Sequence, residues 1–203
     1  MKVSVFTALF VLALIVAAPA SAKVAVGDAA PDFRLIDSNG RAQTLSQYKG
    51  KIVVLEWTNP ACPFVGKHYG SGNMQKQQAD ATAAGVVWLT INSSATGKQG
   101  DIDGPAANAY VAKVGARQSA YLLDPAGVAG HLYGARTTPH MYVIDAQGIL
   151  RYMGGIDSIA STDKEDLARA TQYIPQVLRE LEAGKPVSVT TSPPYGCSVK
   201  YGS

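Results

Sequence analysis

Apolar residues fall along this chain in short, nearly unbroken runs, separated by stretches with helical spacing. Residues 51–58 (KIVVLEWT) and 86–92 (VVWLTIN) are almost continuously apolar and rich in β-branched side chains, the pattern of strands buried on both faces. Residues 118–124 (QSAYLLD) make a weaker strand. Residues 141–145 and 149–152 flank Ala146-Gln147-Gly148 and predict a hairpin. Residues 62–84 predict a helix whose first half is loosened by Gly66, Gly70 and Gly72, and residues 104–114 predict a second. A third, over 162–183, has the strongest signals. Thr162 and Glu165 have capping-box spacing, and Asp163 and Asp166 put negative charge in the first turn. Leu167, Ala170, Ile174, Val177, Leu178 and Leu181 keep one apolar face, Pro175 is expected to bend or restart the helix, and Gly184 ends it. The order of elements predicts a three-layer α/β domain with a mixed central sheet. From Lys185 onward periodicity fades, and the tail is expected to run over the surface as an extended strap. The glycine-rich stretch 97–104 (GKQGDIDG) lacks the Gly-Lys-Ser/Thr ending of a phosphate loop and reads as a mobile surface loop near the site.

The first residues change the picture of where this domain works. Lys2 precedes an apolar run over 5–18, and Ala20-Ser21-Ala22 places small residues where a signal peptidase reads. The run is too short for a membrane span. The expected division is a signal peptide over 1–22, one domain over 23–186 and a tail over 187–203, with export to the periplasm or the extracellular space and no stable membrane insertion after cleavage. The 203-residue chain is long enough for one full core. Its formal net charge of +3 is too mild to argue for nucleic acid or an anionic membrane as partner. Its two cysteines allow one intramolecular pairing, Cys62 with Cys197, and export would let that bond persist.

Cys62 sits where the strand over 51–58 turns into a helix. Unpaired backbone N–H groups and the positive end of the helix dipole collect there and favour a thiolate. Pro60 and Pro63 stiffen the turn. An inert buried cysteine is the plain alternative. A second stretch, residues 136–145 (RTTPHMYVID), puts Thr138-Pro139 at the start of a strand, where a residue without an N–H is tolerated.

Taken together, VGDAAPDFRLIDSNG (26–40), YKGKIVVLEWTNPACPFV (48–65), TTPHMYVIDAQGILRYMG (137–154) and GKPVSVTTSPPYGCSVKY (184–201) resemble the thioredoxin-like superfamily. The chain is most similar to the peroxiredoxin-like redoxin branch of alkyl-hydroperoxide-reductase and thiol-specific-antioxidant domains. The resemblance implies a thioredoxin-like α/β/α fold, with Cys62 opening the first long helix. It implies a cis Thr138-Pro139 bond beside Cys62, with Thr138 offering backbone hydrogen bonds to a substrate. Cys62 and Cys197 are then the catalytic pair, and Thr138, Pro139, Asn59 and Trp57 line the substrate side. No cofactor or metal is needed. The implied partners are an oxidised protein or peroxide substrate and a dithiol reductant.

Departures from the family pattern bear on the chemistry. Asn59 stands where many relatives carry the first cysteine of Cys-x-x-Cys, so dithiol exchange within the turn is impossible. Peroxiredoxins place a threonine three residues before the reactive cysteine and an arginine on a later strand, both polarising the peroxide. Here Asn59 holds the first position with Thr58 one residue further back, and Pro139 holds the second, with Arg136 close but out of register. Only weak peroxide reduction is expected.

Cys197 can supply the missing thiol as a resolver, with Tyr195-Gly196 letting the strap approach closely. The rival reading is a binding or metal-handling module in which a Cys62–Cys197 bond is a staple, worth about 5 kcal/mol for so long a loop. His68 and His140 would have to join the cysteines for copper or zinc, and neither has a ligand spacing. His131 has no motif around it. Glu56 reads as a proton relay to the thiol or as a partnered charge at the sheet's end. Lys67 reads as a solvated lysine rather than a perturber of the thiol, and Trp57, Phe64 and Tyr69 as walls of the site or core.

Overall fold

In the computed structural model residues 24–202 are described, and the expected signal peptide lies outside them. The strand β3 (Val53–Trp57) is buried at every position, as its unbroken apolar run requires. It pairs in parallel with β4 (Val87–Asn92), and β4 pairs in parallel with β5 (Ala120–Leu123). On its other side β3 pairs antiparallel with β7 (His140–Ile144), which turns back through the predicted hairpin into β8 (Leu150–Gly154). Two strands the sequence pattern did not single out, β1 (Arg34–Asp37) and β2 (Ala42–Thr44), extend the sheet beyond β5. The order is β2-β1-β5-β4-β3-β7-β8, a mixed seven-stranded sheet. A separate two-stranded ladder joins β6 (Thr137–Thr138) to β9 (Cys197–Ser198).

Alternation along the strands divides the core between the two faces. Val53, Leu55 and Trp57 join Leu89, Ile91, Tyr142 and Ile144 on one face, covered by α4 (Val128–Tyr133) through Ala129 and Tyr133. Val54, Trp88, Met141, Val143 and Tyr152 lie on the other. There they meet α1 (Pro63–Gly70), α2 (Asn73–Ala83) and α5 (Tyr173–Glu182). The remaining helix, α3 (Gly104–Val114), brings Tyr110 edge-on to Tyr69 of α1. This is the mixed-sheet, thioredoxin-like α/β architecture expected. Among the described residues no helix is long and apolar enough to cross a membrane.

Two helical expectations shift. The single helix over 62–84 is two helices, broken where Gly72 takes a left-handed φ of 79°. The helix over 162–183 begins only at Tyr173. Its supposed first half is a short 3₁₀ turn, Glu165–Ala168, because local bonds compete with the helix. Asp163 accepts from the Glu165 N–H and Asp166 from the Ser161 hydroxyl. Residues 157–158 pair with 171–172, which draws that segment out straight. Pro175 then falls in the first turn of α5, where its missing N–H costs nothing.

Glu56 ties this frame together from inside. Its carboxylate is fully buried and accepts from the Tyr69 hydroxyl (3.0 Å), Gln78 Nε2 (3.1 Å), Trp88 Nε1 (2.8 Å) and the Thr90 hydroxyl (3.0 Å). Burial raises its pKa against those four bonds. β3, β4, α1 and α2 therefore meet at one acceptor-only group. A Glu56→Gln variant puts an amide NH₂ where Tyr69 now donates, leaving one hydroxyl proton without an acceptor. Urea denaturation should show a loss of about 1–3 kcal/mol; an unchanged midpoint would mean the carboxylate's acceptor count is irrelevant.

Candidate thiol active site

Cys62 is the N-cap residue of α1, and Pro63 occupies the helix's first position. The turn into it is built by Asn59. Its backbone carbonyl accepts from Cys62 N–H (3.0 Å) and its side-chain oxygen from Ala61 N–H (2.8 Å), while Cys62 C=O accepts from Gly66 N–H (2.9 Å). The Asn59 amide also donates to Gln99 C=O (3.1 Å). A Cβ at Gly100 would overlap the Asn59 side chain. The 97–104 stretch is thus packed against the turn it was expected to lie near.

The Thr138-Pro139 bond is cis, and the Thr138 carbonyl lies 3.1 Å from Cys62 Sγ, which donates to it as a thiol. Cys197 pairs with Thr138 in the β6–β9 ladder, and both cysteines are free thiols. That register sets the Cys197 thiol beside Cys62. Burial pushes Cys62 up, but the side chains of Cys197 first and then Thr138, with the Val65 N–H, favour its thiolate and bring it below the ordinary value. Cys197 moves the other way, pushed up to about 11 by burial and by the bond to Cys62. One proton therefore stays with Cys197, and Cys62 is the group that ionises. Cys62 is only 2% exposed, because the strap lies across it.

That strap is tied at both ends. Upstream, Thr191 bridges Met153, and Ser192 Oγ meets Tyr152 OH (2.6 Å) and Gly155 N–H (2.9 Å). Downstream, Val199 N–H donates to Arg136 C=O (3.0 Å), Ala95 N–H to Lys200 C=O (2.8 Å) and Tyr201 OH to Ala135 C=O (2.8 Å). The Tyr201 ring stacks on His131, with centroids 4.1 Å apart. Gly196, at φ 131°, faces the Thr138 carbonyl so closely that a Cβ there would overlap it.

A buried polar relay holds the strap beside the thiols. Asn73 Nδ2 donates to His68 Nδ1 (2.8 Å), which leaves Nε2–H to donate to Tyr195 OH (3.2 Å). Tyr195 in turn donates to Asp157 (2.5 Å), and Lys67 pairs with the other Asp157 oxygen (3.4 Å) and Ile159 C=O (3.2 Å). Lys67 is 1% exposed, contrary to the solvated lysine expected. Sequence reasoning passed over Asp157 and Ser192, and named Tyr195 only with Gly196, as the place where the strap approaches closely.

Residues 26–153 match the family model described as the AhpC/TSA family. The chain belongs to the AhpC/TSA family. No curated protein matches it in sequence. A hypothetical protein from Sinorhizobium meliloti is 24% identical with a TM-score of 0.74, over 90% of this chain and 97% of that one. An uncharacterised conserved protein from Geobacillus kaustophilus is 24% identical with a TM-score of 0.75, over 88% and 93%. A candidate thiol:disulfide interchange protein, DsbE, from Chlorobium tepidum is 28% identical with a TM-score of 0.54, over 72% and 95%.

Within this AhpC/TSA frame, Cys62, Cys197, Thr138 and Pro139 come together. Asn59 adjoins them, but it is buried and its amide is committed to Gln99. Trp57 points to the opposite face of the sheet, fully buried, with Nε1 donating to Ser93 and its ring against Tyr133 and Tyr142. Thr58 is buried with its hydroxyl unpartnered, and Arg136 is exposed. Glu56 makes its bonds within the core and none to Cys62. Phe64 lies edge-on to Tyr195 of the strap. Among the described residues no group of three or more His, Cys, Asp or Glu side chains is placed to hold a metal.

The two buried histidines set a pH limit on the frame. Burial, with a smaller push from Lys67, lowers His68 to about 4 against the pull of Asp157. Burial and Arg136 lower His140 to about 3, where its Nδ1 accepts from Arg136 N–H (3.3 Å) and lies 3.1 Å from the Tyr142 hydroxyl. Both are neutral when folded but charge near pH 6.5 when unfolded. Their contribution is present above that pH and is lost as pH falls toward 4, since the unfolded chain binds the extra protons. Between pH 6 and 5 the denaturation free energy of the wild type should fall more steeply than that of His68→Gln, by about one proton of slope; the raised Glu56 acts with the opposite sign equally in both. Equal slopes would show that the fold does not hold His68 neutral.

Proposed function

We propose that this protein is an exported thiol oxidoreductase in which Cys62 reacts and Cys197 resolves. The observation that carries the reading is the register of Cys197 on Thr138, which sets the second thiol beside the residue whose carbonyl contacts Cys62 Sγ. Residues 1–22 serve as the export signal, 23–186 as the redoxin domain and 187–203 as the tail that delivers the second thiol.

Cys62 thiolate attacks one sulfur of a substrate disulfide. A Cys62–substrate disulfide forms and the other substrate sulfur leaves as thiolate. Cys197 gives up its proton and attacks the Cys62 sulfur, releasing the second substrate sulfur and forming Cys62–Cys197. A dithiol reductant then reduces that bond and is itself oxidised to a disulfide. With a peroxide, Cys62 takes the distal oxygen to become sulfenic acid, an alcohol or water leaves, and Cys197 condenses with it, releasing water. This branch is slow, because Asn59 has its amide turned to Gln99 and Arg136 lies at the surface.

Equilibration in graded thiol buffers, with free thiols counted by mass after alkylation, tests the pair. A Cys62–Cys197 bond opening above about −300 mV fits a working redox couple. One that stays closed below that value is a staple, and the oxidoreductase reading falls. The reduced protein should also lose Cys62 to iodoacetamide with a lower midpoint than its Cys197→Ala variant, which lacks the first of the groups that lower the Cys62 thiol. An equal or lower midpoint in the variant would leave Cys62 without its activating partner.

A further inference from the structure

Three residues on one face of α1 meet a single side chain of the strap. The Phe64 ring lies edge-on to the Tyr195 ring, with centroids 5.8 Å apart. The Lys67 ammonium sits 5.9 Å from the centre of the same ring, and His68 Nε2 lies 3.2 Å from the Tyr195 hydroxyl. Positions 64, 67 and 68 share a helix face, and Cys62 caps the same helix. The seat of Tyr195 and the attacking thiol therefore belong to one rigid element. The floor of the seat is Asp157. Its Oδ1 accepts from the Tyr195 hydroxyl (2.5 Å) and from Ile159 N–H (3.0 Å), while Oδ2 faces Lys67 (3.4 Å) and His68 (3.8 Å). Lys67, His68 and Asp157 are at most 1% exposed, so the hydroxyl meets them in a site shielded from solvent.

Backbone pairing alone does not decide which strap residue faces Thr138. A slip of two residues along β9 would keep the same donors and acceptors and the same faces. Side chains must fix the register. Tyr195 stands two residues before Cys197, with only Gly196 between them. Its bond to a carboxylate is charge-assisted, and so stronger than the bond of Tyr201 to the neutral Ala135 carbonyl. Resting on the oxidoreductase reading above, we infer that Tyr195 is the positioning residue of the resolving step: its hydroxyl, seated on Asp157 against α1, returns Cys197 to its place opposite Thr138. The return matters because Cys62 is 2% exposed beneath the strap. A group bonded to the Cys62 sulfur lifts the strap, and Cys197 attacks only once it has docked again.

The test uses the full reduced chain and one equivalent of the symmetric disulfide of 5-thio-2-nitrobenzoate. Cys62 thiolate attacks one probe sulfur, a Cys62–thionitrobenzoate disulfide forms, and a first coloured thiolate leaves. Cys197 then loses its proton and attacks the Cys62 sulfur, Cys62–Cys197 forms, and the second coloured thiolate leaves. Tyr195→Phe keeps the ring and removes the hydroxyl. Its second release should slow about tenfold relative to its first, the worth of one hydrogen bond to a charged group. One glycine inserted after Tyr195 keeps every anchor but puts Cys197 out of step. It should slow the second release at least as much, and it carries the test alone should Tyr195→Phe misfold. An unchanged ratio of the two rates in either folded variant, including a ratio kept because both releases slow together, would mean that the strap finds its register without Tyr195 and overturns the inference. If the wild type releases only the first thiolate, Cys197 does not resolve and the oxidoreductase reading itself fails.

Discussion

The close approach of two backbones at Gly196 is the contact on which the site depends. The strap can lie flat against the Thr138 carbonyl only because residue 196 carries no Cβ. That approach lets β9 pair with β6, and the pairing brings the second thiol to the first. The proton arrangement follows. Cys62 gains hydrogen bonds at the mouth of α1 and ionises more readily, while Cys197 becomes the donor and holds its proton. Without the pairing, Cys62 would keep the helix terminus but lose the strongest bond to its thiolate.

The buried relay behind the strap explains how an extended tail with little apolar periodicity is held in place. A strand of two residues cannot hold itself against solvent. Tyr195 reaches into a pocket where Asp157, Lys67 and His68 satisfy one another, and every member is almost fully buried. Such a cluster adds little net stability compared with an apolar filling, but it is costly to break once one member is removed. Its value lies in register: only a hydroxyl at the height of Tyr195 completes it, which fixes where Cys197 falls two residues later.

Much of this was legible along the chain, and the failures share a cause. Nearly continuous apolar runs gave β3 and β4, and the Ala146-Gln147-Gly148 turn gave the β7–β8 hairpin. The strand-to-helix setting of Cys62, the proline at the start of β7 and the close approach at Gly196 were local signals too. Lys67 misled because its partner Asp157 lies 90 residues away, so no window of sequence shows that the charge is matched. The helix over 162–183 shortened for the opposite reason: its capping residues found nearer bonds in a turn. Trp57 needed the parity of β3 to be carried through; it shares a face with Val53 and Leu55, and the turn built by Asn59 brings Cys62 back over the other. β1 and β2 are short, half-exposed strands at one end of the sheet, whose mixed composition gives no periodic signal.

Placing Asn59 where a first cysteine could stand moves the second thiol from the same helical turn to a distant strap. In a Cys-x-x-Cys turn the separation of the sulfurs is fixed by one turn of helix and hardly responds to the rest of the molecule. Here the effective concentration of Cys197 at Cys62 is set by how well β9, Tyr195 and Tyr201 are docked. Docking and disulfide formation are then linked: whatever factor the seated strap lends to the bond, the bond lends back to the seating. In the proposed two-thiol mechanism, any contact that holds or releases the strap, from Asp157 at one end to Ala135 at the other, would act on the redox equilibrium of the pair without touching either sulfur. Asn59, hydrogen-bonded into the turn and to the loop at Gln99, is the residue that makes this arrangement necessary and the one that gives the remaining thiol a rigid seat.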